Sequence, residues 1–194
     1  MRIMAGLKKK GSPAVIPNCT RDGFPEFFKE MGFKVGAEIG VLYGDFTEKF
    51  CRVGLQMYAI DPWLASPDHL ERNPIYQKKK NAIYRRATEK LALFDNCKII
   101  RKTSMDAVSD FKDGSLDFVY IDGNHWFRYF AEDIFEWPRK VRKGGVISGH
   151  DYCSDNAKSQ VLYVVDAYTK AFEISQWYVT NFKDEKPSWF WIKG

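Results

Sequence analysis

Apolar residues along this chain follow two patterns: short, nearly continuous runs, and longer segments in which they return every third or fourth position. The first pattern reads as strands buried on both faces, the second as amphipathic helices. Leu116–Tyr152 shows both most clearly. Leu116 to Ile121 is almost wholly apolar and stops on Asp122, and Asp122-Gly123-Asn124-His125 turns the chain. Trp126, Phe130, Ile134, Trp137 and Val141 then recur at helical spacing, with the tryptophans expected in the core, and Lys143-Gly144-Gly145 ends that helix. A second run, Val146-Ile147, leads to Gly149-His150-Asp151. Strand, helix and strand in this order make a βαβ unit with parallel strands and a right-handed crossover. Ligands of such sheets lie beyond the carboxyl ends of the strands. Asp122, His125, His150 and Asp151 are therefore expected in one cleft.

The rest of the chain continues the alternation. Residues 1–20 read as an irregular basic lead-in containing Pro13 and Pro17. Arg21–Met31 forms a short helix, with Phe24, Phe27, Phe28 and Met31 on one side, expected against the sheet edge. Lys34–Val41 is the first strand, and Asp45 is placed to cap the next helix with Glu48 completing a capping box. Leu55–Ile60 is the second strand and ends on Asp61. The connection Pro62–Pro74, carrying Trp63, Pro67 and His69, is long for its kind and suggests a binding role. Ile75–Phe94 is a long helix with Tyr76, Ile83, Ala87, Leu91 and Phe94 on one face and Lys78–Lys80 and Arg85-Arg86 mostly on the other. Cys97–Arg101 is the third strand, followed by Thr103-Ser104-Met105-Asp106. Asp155–Phe172 is a helix, and Glu173–Thr180 and Ser188–Lys193 are strands around a polar loop, Asn181–Pro187. The pattern predicts an α/β fold with seven strands, closed by a C-terminal hairpin. It divides into a basic segment with a short helix at 1–33 and the main domain at 34–194.

Composition narrows the function classes. A length of 194 residues suits one main domain, and 45% hydrophobic content is enough for an ordinary core. Cys19, Cys51, Cys97 and Cys153 form no C-x-x-C pair, which reads as reduced thiols in a cytoplasmic protein. No apolar run approaches the roughly 20 residues of a membrane span. The net charge of +5 permits an acidic ligand or nucleic acid without demanding either.

The turn from Gly36 to Gly44 spaces its glycines as G-x3-G-x3-G, not as the G-x-G-x-x-G of dinucleotide sites. Asp45 at the helix start and Glu38 nearby would repel a diphosphate and favour a cationic nucleoside. Asp61, about 20 residues past Gly40, is placed to accept both ribose hydroxyls, or equally to cap the turn before Pro62. This set resembles the class I S-adenosylmethionine (SAM)-dependent methyltransferases. The resemblance implies a Rossmann-like, mostly parallel sheet with helices on both faces and an antiparallel hairpin at the end. It also implies SAM held by Glu38, Gly40, Gly44, Asp61 and Asp122, with Ser104 and Met105 at the adenine.

Within that class, Asp122–His125 and Gly149–Tyr152 look like the metal-assisted small-molecule O-methyltransferases, especially the sugar-modifying macrocin type. That likeness implies a divalent cation on Asp122 and Asp151 and a general base at His125. His150 stands where relatives often carry another acid or an amide. Imidazole suits zinc, iron or nickel better than magnesium, so His150 either completes the ligand set or faces the substrate. The chemistry calls for these groups, because an aliphatic hydroxyl is too weak an acid to attack a methyl donor unaided. The expected acceptor is a small hydroxylated, sugar-like molecule. The basic helix 75–94 leaves open an RNA or protein substrate, and a non-catalytic nucleoside-binding module of the same fold is the third reading. Self-association is left open.

Overall fold

The computed structural model describes residues 3–65, 75–153, 159–181 and 186–194. Its elements are, in chain order, α1 (Ile3–Gly6), β1 (Ala14–Pro17), α2 (Phe24–Glu30), β2 (Val35–Ile39), α3 (Asp45–Arg52), β3 (Gln56–Ile60), α4 (Ile75–Leu91) and β4 (Cys97–Ile100). Then follow α5 (Ser104–Val108), β5 (Leu116–Ile121), α6 (Phe127–Lys140), β6 (Val141–Gly149), α7 (Val161–Ala171), β7 (Tyr178–Asn181) and β8 (Trp189–Ile192). A 3-10 turn, Arg21–Gly23, leads into α2.

All eight strands join one sheet, ordered β1-β7-β8-β6-β5-β2-β3-β4. β2 lies between β3 and β5, parallel to both, so the winding reverses direction at this point. β8 runs antiparallel to β6 and β7, the expected closing hairpin. The eighth strand comes from the segment expected to be an irregular lead-in: β1 pairs parallel with β7. Ala14 and Ile16 point inward and Val15 outward, an alternation too short to stand out between Pro13 and Pro17.

β5 is buried at every position, which explains why its run is nearly continuous. Val119 and Ile121 face α5, α6 and α7, whereas Phe118 and Tyr120 face α1, α2 and α3. The second face is built from stacked aromatic rings, with Phe28 and Phe118 centroids 4.1 Å apart and Phe24 edge-on to Tyr120. α2 therefore covers the central strand rather than the sheet edge. Burying an aromatic side chain contributes about 2–3 kcal/mol, so this layer supplies much of the apolar stabilisation.

Several boundaries move for local reasons. α6 ends at Lys140 and β6 begins at Val141, because Pro138 in the last turn lacks an N–H and Val141 is already extended. The Gly144-Gly145 pair lies inside the strand. Trp126, expected in the core, precedes α6 and is 58% exposed, while Trp137 is buried as expected and Trp189 and Trp191 are buried too. The described part of the next helix, α7, starts at Val161; the expected start at Asp155 lies outside the described residues, as do Pro67 and His69. None of the four cysteines forms a disulfide. No described helix is long and apolar enough to cross a membrane.

One carboxylate sets the register between β2 and β5. Asp117 accepts the N–H groups of Lys34 at 2.6 Å and Val35 at 2.9 Å, and pairs with Arg142 at 2.6 Å. Although burial works against ionisation, these donors and the Arg142 charge hold its carboxyl below the usual range. Replacing Asp117 with alanine strands two backbone donors and is expected to cost about 1–3 kcal/mol in urea unfolding at neutral pH. The depressed value means the contribution exists above the ordinary carboxylate range of about pH 4 and fades as pH falls through it.

Candidate active site

The glycine turn is made by close backbone approach. Gly40 adopts φ 93°, and a Cβ there would stand 2.2 Å from the carbonyl oxygen of Asp122. Both conformation and space require glycine. The N–H of Gly40 bonds to Ile60 O at 2.9 Å and that of Asp122 to Ile39 O at 2.8 Å, so the turn is stitched to the ends of β3 and β5. Gly44, at φ 78°, opens α3.

Asp61 faces this turn. Its Oδ2 accepts the N–H groups of Val41 and Leu42 at 3.1 and 3.0 Å, and its Oδ1 accepts that of Trp63 at 2.6 Å. A carboxylate accepts about four such bonds, and among the described residues Asp61 makes three. The Trp63 indole donates to Leu42 O at 2.8 Å, bracing the turn from the connection after β3. Asp61 thus caps the turn, one of its two expected roles.

Asp45 does not cap α3. Gly44 occupies the cap position without a side-chain bond, and the Asp45 carboxylate, in the first turn, pairs instead with Lys90 of α4. Glu48 joins Arg52 one turn on rather than a capping box. The helix start is therefore not closed by an acid, and the expectation that Asp45 repels a diphosphate there has no capping bond behind it. Glu38 is 1% exposed and accepts the hydroxyl of Thr47. Burial pushes its carboxyl up to about 8 despite that bond and the nearby Arg21 charge.

Asp122, His125 and Asp151 converge at the ends of β5 and β6. His125 Nε2 lies 3.3 Å from Asp122 Oδ1 and 3.2 Å from Asp151 Oδ2. Potential ligand atoms of the three lie within 4.8 Å of one another. His150 lies outside that trio, its Nδ1 3.6 Å from Asp151 Oδ2. Asp151 is buried and sits at φ 59°, a left-handed conformation that aspartate tolerates better than most residues. The hydrogen bond to Asp122 raises the His125 pKa above the ordinary imidazole value; burial opposes this and the Asp151 charge reinforces it. Asp151 is held well below the usual carboxylate range: burial would raise it, but His150, Lys186 and His125 favour the anion.

Sequence reasoning missed the groups that surround this trio. Arg21 Nη1 contacts Asp122 Oδ2 at 3.0 Å, and its guanidinium covers the Phe46 ring at 4.3 Å. Lys186 Nζ lies 2.9 Å from Asp151 Oδ1. Gln160 donates its N–H to His125 O at 2.9 Å and accepts from Phe127 N–H at 2.6 Å, locking the histidine turn to α7. Ser104 is turned inward: its hydroxyl bonds to Asp133 and accepts the Trp137 indole N–H at 2.7 Å, while Met105 packs on the core. Asp133 is 3% exposed, and burial pushes its carboxyl up to about 7 despite the Ser104 bond. Its signal was legible as an acid inside the apolar stripe Phe130, Ile134 and Trp137.

In chemical terms, the rim offers two carboxylates and an imidazole suited to a cation. Beside them lie a buried acid, Glu38, and a glycine turn packed against the backbone of Asp122. Glu38 gives a pH signature. Its raised value means that stability falls as pH rises from about 4.5 toward about 8, where the buried group must ionise. Glu38→Gln removes that loss, so the variant should gain on the parent by a few kcal/mol in urea unfolding between about pH 5 and about pH 9. A gap independent of pH would contradict the assignment.

Comparison with known proteins agrees with this architecture. Residues 37–152 match the family model described as a methyltransferase domain. An O-methyltransferase from Bacillus cereus, solved with SAH, superposes with a TM-score of 0.62 at 16% identity, covering 91% of this chain and 83% of that one. TomG from Streptomyces achromogenes, an O-methyltransferase of tomaymycin synthesis solved with SAM, gives 0.64 at 14% identity, covering 89% and 79%. A curated relative, the uncharacterized protein y4gI of Sinorhizobium fredii, is 26% identical over 123 residues, which make up 59% of this chain and only 12% of that protein. The glycine turn, β5 and the Asp122–Asp151 rim all fall inside the matched region, and the chain belongs to the methyltransferase domain family.

Proposed function

We propose that the chain is a SAM-dependent O-methyltransferase that methylates a hydroxyl of a small, sugar-like acceptor, assisted by a divalent cation and by His125. The observation that carries this reading is the meeting of Asp122, His125 and Asp151 beside the turn held by Asp61. The likeness to O-methyltransferases solved with SAM or SAH supports the choice of donor.

SAM would supply a methyl group on a positively charged sulfur, and a divalent ion would make the acceptor oxygen a better nucleophile. The chain's own residues then have distinct tasks. Gly40 and Gly44 shape the turn that would hold the donor, and Asp61 takes a ribose hydroxyl. Glu38, neutral when buried alone, ionises beside the donor's positive charge. Asp122 and Asp151 would hold the ion through carboxylate oxygens, which suit a hard divalent cation such as magnesium or manganese. His125 would serve as the base with its Nε2 released from Asp122 and Asp151, which favour the protonated ring, while the Gln160 bond holds its backbone in place. Ser104 and Met105 contribute by position at the start of α5, with Ser104 fixing the helix to Asp133 rather than offering a free hydroxyl.

Calorimetric titration with SAM should show binding well below millimolar, and Asp61→Ala should weaken it by about ten-fold or more, because the turn and the ribose contact both depend on that carboxylate. His125→Gln should leave SAM binding intact while lowering methyl transfer to a pool of hydroxylated compounds by about 10²–10⁴-fold. Absence of SAM binding at millimolar concentration would end this reading.

A further inference from the structure

The carboxylate oxygens of the rim are already engaged by side chains. Asp122 offers Oδ1 to His125 and Oδ2 to Arg21; Asp151 offers Oδ2 to His125 and Oδ1 to Lys186. One guanidinium and one ammonium thus balance two carboxylates before the imidazole is counted. An incoming divalent ion would meet two fixed positive charges on the very atoms it needs, and like charges at such range repel strongly away from bulk water.

We propose that Arg21 and Lys186 are resident counter-ions of the cation site, which a divalent ion must displace from Asp122 and Asp151. This rests on the reading above that Asp122 and Asp151 hold an ion.

The two cations differ in how firmly they are seated. The Arg21 side chain is 27% exposed and lies over Phe46, with Tyr120 at 5.8 Å. The backbone of its 3-10 turn is fixed by the Thr20 side chain, which accepts the Asp22 N–H, and by the Asp22–Lys49 pair at 2.6 Å. The Lys186 side chain is 42% exposed on a long flexible stem. Lys186 is the more exposed of the two, whereas Arg21 would have to leave its aromatic seat. Arg21 therefore dominates the competition. Because it belongs to the segment that also supplies β1, occupancy of the ion site is coupled to the docking of that segment on the sheet.

The test is binding of Mn2+ alone, followed through loss of the free-ion electron spin resonance signal. The parent, Arg21→Gln, Lys186→Gln and the double variant are compared, with circular dichroism and thermal unfolding to confirm the fold. The proposal expects tighter Mn2+ binding by about ten-fold in Arg21→Gln, less in Lys186→Gln and most in the double variant. Equal affinity in all four proteins, or no binding by any, overturns it. If Arg21→Gln does not fold, Lys186→Gln and Arg21→Lys carry the comparison, the latter expected to tighten binding because the lysine lacks the planar fork that seats the charge. SAM titrated into the same preparations separates the two ideas. Failure to bind SAM counts against the methyltransferase reading and leaves the Mn2+ ranking standing, and equal Mn2+ affinities with normal SAM binding defeat only the counter-ion proposal.

Discussion

The rim depends first on how closely two strands meet at their ends. β2 and β5 are distant in sequence but adjacent in the sheet, and their carboxyl ends touch where Gly40 passes under the carbonyl of Asp122. Any side chain at that position would drive the glycine turn and the acidic turn apart. Because the sheet's winding reverses at β2, this is also the point at which sheets of this kind place their ligands. The glycine turn, Asp61 and Asp122 share one edge as a consequence of topology, and the chemistry of the site follows from that placement.

A second dependence runs through the aromatic layer. α2 and α3 press Phe24, Phe28, Phe46 and Phe50 onto Phe118 and Tyr120 of the central strand. This packing does more than stabilise the sheet. It brings the 3-10 turn before α2 over the end of β5, and so delivers Arg21 to Asp122 across about 100 residues of sequence. The N-terminal segment is in this sense part of the site, although its residues lie outside the region that matches the methyltransferase family.

Much of the fold was legible because burial on both faces leaves strong, simple patterns. Leu116–Ile121 could be read as a central strand from its unbroken apolar run, and Asp122 and Asp151 as rim residues from where such runs stop. The convergence of Asp122, His125 and Asp151 followed from the parallel topology alone. What escaped reading depended on distant partners. β1 is too short to show a period, and it exists because β7 offers it an edge. Asp45 had the composition of a helix cap, but the left-handed Gly44 takes that position and Lys90 claims its charge. Ser104 sits at the expected place after β4, yet an acid buried on α6 turns its hydroxyl inward. Arg21 and Lys186 carry no local motif, and only the folded chain sets them on the two carboxylates.

The central claim is that an acid-lined edge around Gly40 receives a positively charged nucleoside donor. Diffraction from crystals grown with the demethylated donor, S-adenosylhomocysteine, tests it most directly. The account predicts the ribose hydroxyls within hydrogen-bonding distance of Asp61 and the amino-acid end over the Gly40 turn beside Glu38. A nucleoside seated on another face, or a diphosphate lying across the start of α3, would contradict it.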